Sequence, residues 1–274
     1  MRTRAAATSV LCLAFGLLVA APARAQYAPK GVSDRATGET YHVEIGGYFW
    51  NPSPDIAISS EGLGQIGTRI DFVKDLGIEQ ARFRQLKVVL RPGKKHKFRF
   101  EYTPVRYQST NGTLHADIVF NGIKYPVALP VSTEFKWNAY RFGYEWDMLY
   151  RDRGFLGLVL EAKYTDVQAT LSNVLDTEFT HAQAPIPAIG GIGRVYVAPN
   201  ISITGEFTAF KLPDSINDSS RAKFYDFDLY GTVNFTDHVG AQVGYRSFNV
   251  LYKVDQDEGE LQLKGMYFGG AVRF

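Results

Sequence analysis

The sequence predicts an all-β fold, an antiparallel transmembrane β-barrel of ten to twelve strands with twelve preferred, and three observations carry that prediction. Apolar and polar residues alternate with a two-residue period through much of residues 40–274, the pattern of strands that send successive side chains to opposite faces. After the first 25 residues no segment offers the roughly 18 uncharged apolar residues that a spanning helix needs. The start of the chain has the form of an export signal.

Arg2 and Arg4 precede an apolar run from Ala5 to Ala20, and Ala23-Arg24-Ala25 supplies the small residues of a cleavage site. Residues 1–25 are therefore expected to be a cleaved signal peptide. Thr8 and Ser9 within the run, and the lack of a stop-transfer pattern after it, argue against a membrane anchor. The single cysteine, Cys12, lies in that signal, so the 249 residues after it contain no thiol for a disulfide, thiolate chemistry or a cysteine metal site. The full chain carries 30 basic and 28 acidic residues, a net +2. Loss of Arg2, Arg4 and Arg24 leaves 27 against 28, or −1, and no basic excess to suggest nucleic acid. The mean hydropathy of −0.15 would suit a soluble chain, but a barrel gives the same value because each strand is only half apolar.

In chain order, residues 26–39 are polar, contain Pro29, Gly31 and Gly38, and read as a short tail before the barrel at 40–274. Tyr41, Val43, Ile45, Gly47 and Phe49 then alternate with His42, Glu44, Gly46, Tyr48 and Trp50, and a break follows at Asn51 to Pro54. Gly62, Gly64 and Gly67 match a dinucleotide-binding spacing, but Thr68 to Phe72 alternates where a helix would be required, so loop glycines are the better reading. Residues 82–91 and 96–107 flank Pro92-Gly93-Lys94-Lys95, a hairpin turn by composition. Strands are expected at 132–149, 154–171, 186–197, 201–212, 223–236, 239–252 and 260–274, which makes ten. The segments 66–76 and 113–121 are ambiguous. In the second, Leu114, Ala116, Ile118 and Phe120 alternate with His115, Asp117 and Val119, which favours counting both and hence twelve.

The last segment, Glu260 to Phe274, places Met266, Phe268, Gly270, Val272 and Phe274 on one face and Gly265, Tyr267, Gly269, Ala271 and Arg273 on the other. On Phe268, Val272 and the terminal Phe274 it resembles the closing strand of the outer-membrane β-barrel superfamily. The nearest description is the OmpA-like, or outer membrane protein β-barrel domain, group, with Gly270 leaving a gap in the apolar row. That resemblance implies an outer-membrane location in a Gram-negative-type bacterium, recognition of Phe268, Val272 and Phe274 by the barrel assembly machinery, and contact with outer-membrane lipid and lipopolysaccharide. It also implies an even strand count with both ends of the barrel in the periplasm and short turns there. The tight connections at Arg151 to Gly154, Ala198 to Asn200 and Thr236 to His238 alternate with longer ones near 172–185, 213–222 and 253–259, as this implies. A twelve-strand count puts the Pro-Gly-Lys-Lys turn outside, where tight turns are less usual. No separate peptidoglycan-binding domain is apparent, so cell-wall anchoring is not implied.

The outward rows, richest at Tyr140, Phe142, Tyr144, Trp146 and Met148, are set against an inward charge network. Its expected members are Glu44, Arg99, Glu101, Arg141, Glu145, Asp147, Glu161, Lys163, Arg194, Glu206, Asp226, Asp228, Arg246 and Arg273. A β-sandwich would share the alternation but leave one face in water. The two signs are interleaved, which favours cross-lumen pairs over the single-sign ring of a selective pore. Asp226 and Asp228 share a face and could form a carboxylate pair, although a structural role against Arg194 or Arg246 is the simpler one. None of His42, His96, His115, His181 and His238 sits in a recognisable catalytic constellation; His181 is placed in an outer loop near Thr177, Glu178 and Thr180, and proximity in a loop is a weak signal. Asp255, Asp257, Glu258 and Glu260 form an acidic tip without calcium-loop spacing, able to meet lipopolysaccharide through bridging divalent ions. The expectation is a non-enzymatic barrel without cofactor, in a structural or surface-contact role. The alternatives are a narrow, porin-like diffusion channel and, behind it, a lipid-modifying barrel enzyme.

Overall fold

A computed structural model of the chain describes residues 36–59, 68–112, 117–120, 122–127, 130–173, 177–212, 220–254 and 257–274. The signal peptide expected at 1–25 and the glycines Gly62, Gly64 and Gly67 lie outside the described residues. The strands are β1 (Val43–Ser59), β2 (Ile70–Asp71), β3 (Phe83–Gly93), β4 (His96–Gly112), β5 (Ile118–Phe120), β6 (Ile123–Tyr125) and β7 (Val131–Arg151). They continue with β8 (Gly154–Ser172), β9 (Thr177–Ala198), β10 (Ile201–Lys211), β11 (Ser220–Asn234), β12 (Val239–Val254) and β13 (Asp257–Arg273).

Among the described residues ten long strands make one antiparallel sheet, in the order β1, β3, β4, β7 and then β8 to β13. β13 returns to β1 in register from Glu44↔Arg273 to Ser59↔Glu258, which closes the sheet into a barrel. Closure satisfies the edges that an open sheet would leave bare. The Gly270 gap in the outward row of β13 lies opposite Gly47, and the next outward pair, Phe49 and Phe268, packs at 5.7 Å between ring centroids. Outward residues are exposed along every wall strand, with Phe142 at 54 % and Ile189 at 60 %, while the alternate positions are buried.

The wall has ten strands where the sequence favoured twelve. β4 pairs directly with β7 from His96↔Trp146 to Ser109↔Thr133, so no strand can enter between them. With ten, the Pro92-Gly93-Lys94-Lys95 turn falls at the same end as the tight turns after β7, β9 and β11; this end, which also holds Phe274, is here the near end. The two ambiguous segments form inserts at the far end. β2 adds two residues to the tip of β1, β5 and β6 make a small hairpin, and the inserts are joined by Thr68 N–H donating to Val119 O at 2.9 Å. Ile70, Phe72, Leu76, Ile118 and Phe120 are buried in one core with Phe135, Trp137 and Leu171 from the wall. The alternation at Ile118 and Phe120 is therefore met by packing onto the barrel's interior, a pattern that a wall strand would also produce. Leu114 and Ala116 lie outside the described residues.

Two strands are longer than their sequence suggests. β1 continues through Pro52 and Pro54 to Ser59, and β9 begins at Thr177 although Pro185 and Pro187 lie within it. A proline cannot donate to a ladder, so it is tolerated where one flank of a strand is unpaired. The pairing of β1 with β3 ends at Trp50↔Phe83, before Pro52. The pairing of β9 with β10 ends at Ile189↔Ala209, just past Pro187. Pro104 in β4 likewise lies beyond the last β3 partner, Tyr102.

Because Phe120 is buried in the far-end core, Phe120→Ala is expected to lower the stability of the vesicle-refolded barrel by about 3 to 5 kcal/mol in urea unfolding. Lys124→Ala on the same hairpin is expected to change it by less than about 0.5 kcal/mol, since its pair with Asp117 is exposed.

Candidate functional site in the lumen

The inward positions are sorted along the barrel axis. Towards the far end they are apolar, as at Val131, Phe135 and Trp137 of β7, and towards the near end the same strand presents Arg141, Glu145 and Asp147. β13 repeats the gradient from Leu261 and Leu263 to Arg273. A buried charge is tolerable only when paired and hydrogen-bonded, and the near half of the lumen meets that condition by a lattice spanning the barrel.

Arg141 is its hub. Its guanidinium lies 2.6 Å from Glu161, 2.7 Å from Glu206, 3.1 Å from Glu101 and 3.5 Å from Asp226. Each carboxylate has a second cation. Glu206 accepts from Arg99 at 2.5 Å, Glu161 from Lys163 at 3.1 Å, Asp226 from Lys163 at 2.9 Å and Arg246 at 2.8 Å, and Glu101 from Arg246. Arg99 continues to Glu145 at 3.3 Å, and Lys97 joins Glu145 at 2.6 Å to Asp147 at 2.9 Å. The voids beside Arg141 are about 10 Å³ each, the space of one water molecule.

Nearer the end, Arg273 pairs with Glu44 at 2.5 Å and donates to Asn234 at 2.8 Å. Below it the tail folds into the barrel mouth. Glu39 accepts from Arg194 and from Tyr196, each at 2.8 Å, and lies 3.4 Å from Arg91. Thr37 N–H donates to Pro199 O at 2.7 Å, Thr37 O accepts from Asn234 at 2.6 Å, and Gly38 N–H donates to Asp237 at 2.9 Å. Gly38 has φ 84°, and a Cβ there would meet Arg273 Nη1 at 2.8 Å, so both its backbone and its space require glycine. Burial would raise the Glu39 carboxyl, but Arg194, with Lys97 and the Tyr196 hydrogen bond, outweighs it and holds the group below the ordinary carboxylate value.

All fourteen charges named from the sequence lie on inward positions, and thirteen meet the partners just described. The other, Asp228, accepts from Tyr267 at 2.9 Å and is not directed at Asp226, whose partners are Lys163, Arg246 and Arg141. Arg194 serves Glu39. The sequence reading left out Lys97, which shares parity with Arg99 and Glu101 and was there to be found. It also left out Arg91 and Glu39, because nothing local says that a tail returns into the barrel. Phe268, Val272 and Phe274 point outward, and Phe274 exchanges backbone hydrogen bonds with Val43 at 2.8 and 3.1 Å.

The histidines are dispersed. His42 and His238 face backbone carbonyls, His96 lies 2.7 Å from Tyr144 Oη, and His181 lies 2.6 Å from Asp166 on the outer surface; His115 lies outside the described residues. Glu258 and Glu260 of the acidic tip bind Arg69 at 3.6 and 2.8 Å. Among the described residues no group of three His, Cys, Asp or Glu side chains could hold a metal ion.

No protein-family model matches the sequence, and neither does any curated protein. Solved structures do match in shape. The outer membrane protease OmpT of Escherichia coli superposes with a TM-score of 0.58 at 11 % identity, over 89 % of this chain and 99 % of that one. Ail, the attachment invasion locus protein of Yersinia pestis, aligns over 85 % of this chain and 99 % of its own length at 12 % identity, with a TM-score of 0.38. The translocator domain of autotransporter NalP from Neisseria meningitidis covers 98 % of both chains at 10 % identity and a TM-score of 0.34. By the OmpT superposition the chain has the fold of an outer-membrane β-barrel.

Arg141→Ala would strand buried carboxylates and is expected to cost about 3 to 5 kcal/mol in unfolding measurements, whereas Arg106→Ala, an exposed pair with Glu134, is expected to cost under about 1 kcal/mol. The Glu39 carboxyl is depressed in the fold, so its contribution is present above its ordinary value of 4.5 and lost as pH falls through the lower folded value. Hydrogen exchange at residues 36–42 should accordingly show protection factors that hold at pH 6 and are lost only on acidification below 4.5, and Glu39→Gln should remove that dependence.

Proposed function

We propose that the chain is a closed wall protein of the outer membrane, with a lumen that carries structure rather than solute and a far-end surface available for contact with partners. The outer-membrane placement rests on the barrel fold it shares with OmpT and on outward apolar rows that suit lipid. The observation that carries the reading is the Arg141 lattice. A diffusion path needs a continuous water column with charge to spare, and here each carboxylate around Arg141 is shared with a second cation, leaving voids no larger than about 10 Å³. The far-end core and the Glu39 tail close the barrel above and below it. No catalytic role is assigned, since the side chains that a reaction would use are engaged with one another.

Single-channel recording in a planar bilayer tests this. The refolded wild type is expected to show no steady conductance, and Arg141→Ala, if it folds, only brief openings. A steady wild-type current that Arg194→Ala or Arg141→Ala alters would establish the narrow channel instead.

A further inference from the structure

Among the described residues the strand pairing lapses at two places in the far half of the wall, and one of them is covered by an insert. Between β1 and β4 the lapse is covered by the first insert, with β2 on β1 and Gln80 and Arg82 donating to Asn51 at 2.9 Å. Between β9 and β10 nothing among the described residues replaces the missing ladder. β9 runs on past Ile189 to Thr177 paired only with β8, and Pro185 and Pro187 remove donors from its free flank. Behind this slit is a cavity of about 450 Å³, the size of a site for one small ligand. Its inner wall is apolar, with Trp137, Ile186, Phe210 and Phe224, yet it also reaches Gln183 and Pro185 of the outward face of β9 and Arg221 and Lys223 of the outward face of β11. Residues of both faces of the wall line the cavity at the slit.

The far lip of that slit has an unusual charge pattern. Arg221 lies opposite Lys253 and next but one to Lys223, all on outward positions, and Lys253 faces Glu258 across the β12–β13 ladder. Like charges directly across a ladder are unfavourable, and the two carboxylates beside them on β13, Glu258 and Glu260, are shared with Arg69. On the opposite lip Asp166 is taken by His181.

We propose that this slit is a lateral binding site for a long-chain fatty acid, its acyl chain in the apolar cavity and its carboxylate against Arg221, Lys223 and Lys253. One cavity of this volume takes one chain, and an anionic head would offset the like-charge cost of Arg221 beside Lys253. The site goes beyond the closed-wall reading: it opens through the side of the barrel and does not depend on whether the lumen conducts.

Trp137 in the cavity wall reports occupancy. The mature chain refolded in phosphatidylcholine vesicles is titrated with 9,10-dibromostearate, and in parallel with dibromostearyl alcohol and with brominated phosphatidylcholine at equal bromine content. Folding of each variant is checked by its heat-dependent gel shift. Saturable quenching by dibromostearate, absent in Trp137→Phe and in the cavity-filling Ala222→Phe, is the expected result. The paired reversal Arg221→Glu with Lys223→Glu should weaken it by about tenfold, and the alcohol should bind the wild type correspondingly less. Quenching by dibromostearate no greater than by brominated phosphatidylcholine, or equal in the folded Ala222→Phe variant, would overturn the site. Equal binding of the alcohol would overturn the role of the cationic lip. A conducting lumen would be seen in the bilayer and not in this signal, so the two proposals fail separately.

Discussion

Arg141 holds four carboxylates from four other strands, Glu101 of β4, Glu161 of β8, Glu206 of β10 and Asp226 of β11, and so ties together walls on opposite sides of the lumen. A cation surrounded in this way is stable only if every carboxylate has further donors, since two ions removed from water recover their desolvation cost only through complete pairing. Arg99, Lys163 and Arg246 provide them. The lattice in turn needs a closed sheet, because a missing strand would remove a member from a network whose members are mutually dependent. The β1–β13 seam and the ion lattice are thus parts of one constraint.

The rest of the interior follows from that division. Above the lattice the inward side chains become apolar, and the two inserts complete their core with Phe72 and Phe120. Below it the tail uses the same chemistry as the lattice, a carboxylate offered to two arginines and a tyrosine, to occupy the mouth. The wall tolerates prolines only where a strand has lost one neighbour. At Pro52 and Pro54 the vacancy is covered by an insert, and at Pro185 and Pro187 no described strand pairs with the free flank.

Much of the fold was legible because a strand's two-residue period separates inward from outward positions residue by residue. Outward Phe142 and inward Arg141 are distinguished by parity alone. The hairpin at Pro92-Gly93 and the turn at Arg151 to Gly154 carry their own local chemistry. Alternation does not say which surface an apolar face will meet, and this is why Ile118 and Phe120 read as a wall strand although they pack inside the barrel. A break read at Asn51 to Pro54 ended β1 too early, and a loop read at 172–185 began β9 too late, because the pairing state of a flank is not a local property.

The sequence by itself determined the class of the fold, the faces of its strands and the types of charge that share the interior, since each depends on residues a few positions apart. Only the tertiary structure decided the strand count, the return of Glu39 to Arg194, the partners of Arg141 and the lapse between β9 and β10. Those depend on which side chains closure brings across the lumen, from positions as distant as Glu39 and Arg194. Several arrangements of mixed charges would satisfy the same alternating pattern, and the geometry of the closed sheet selects the one in which the buried ions find partners.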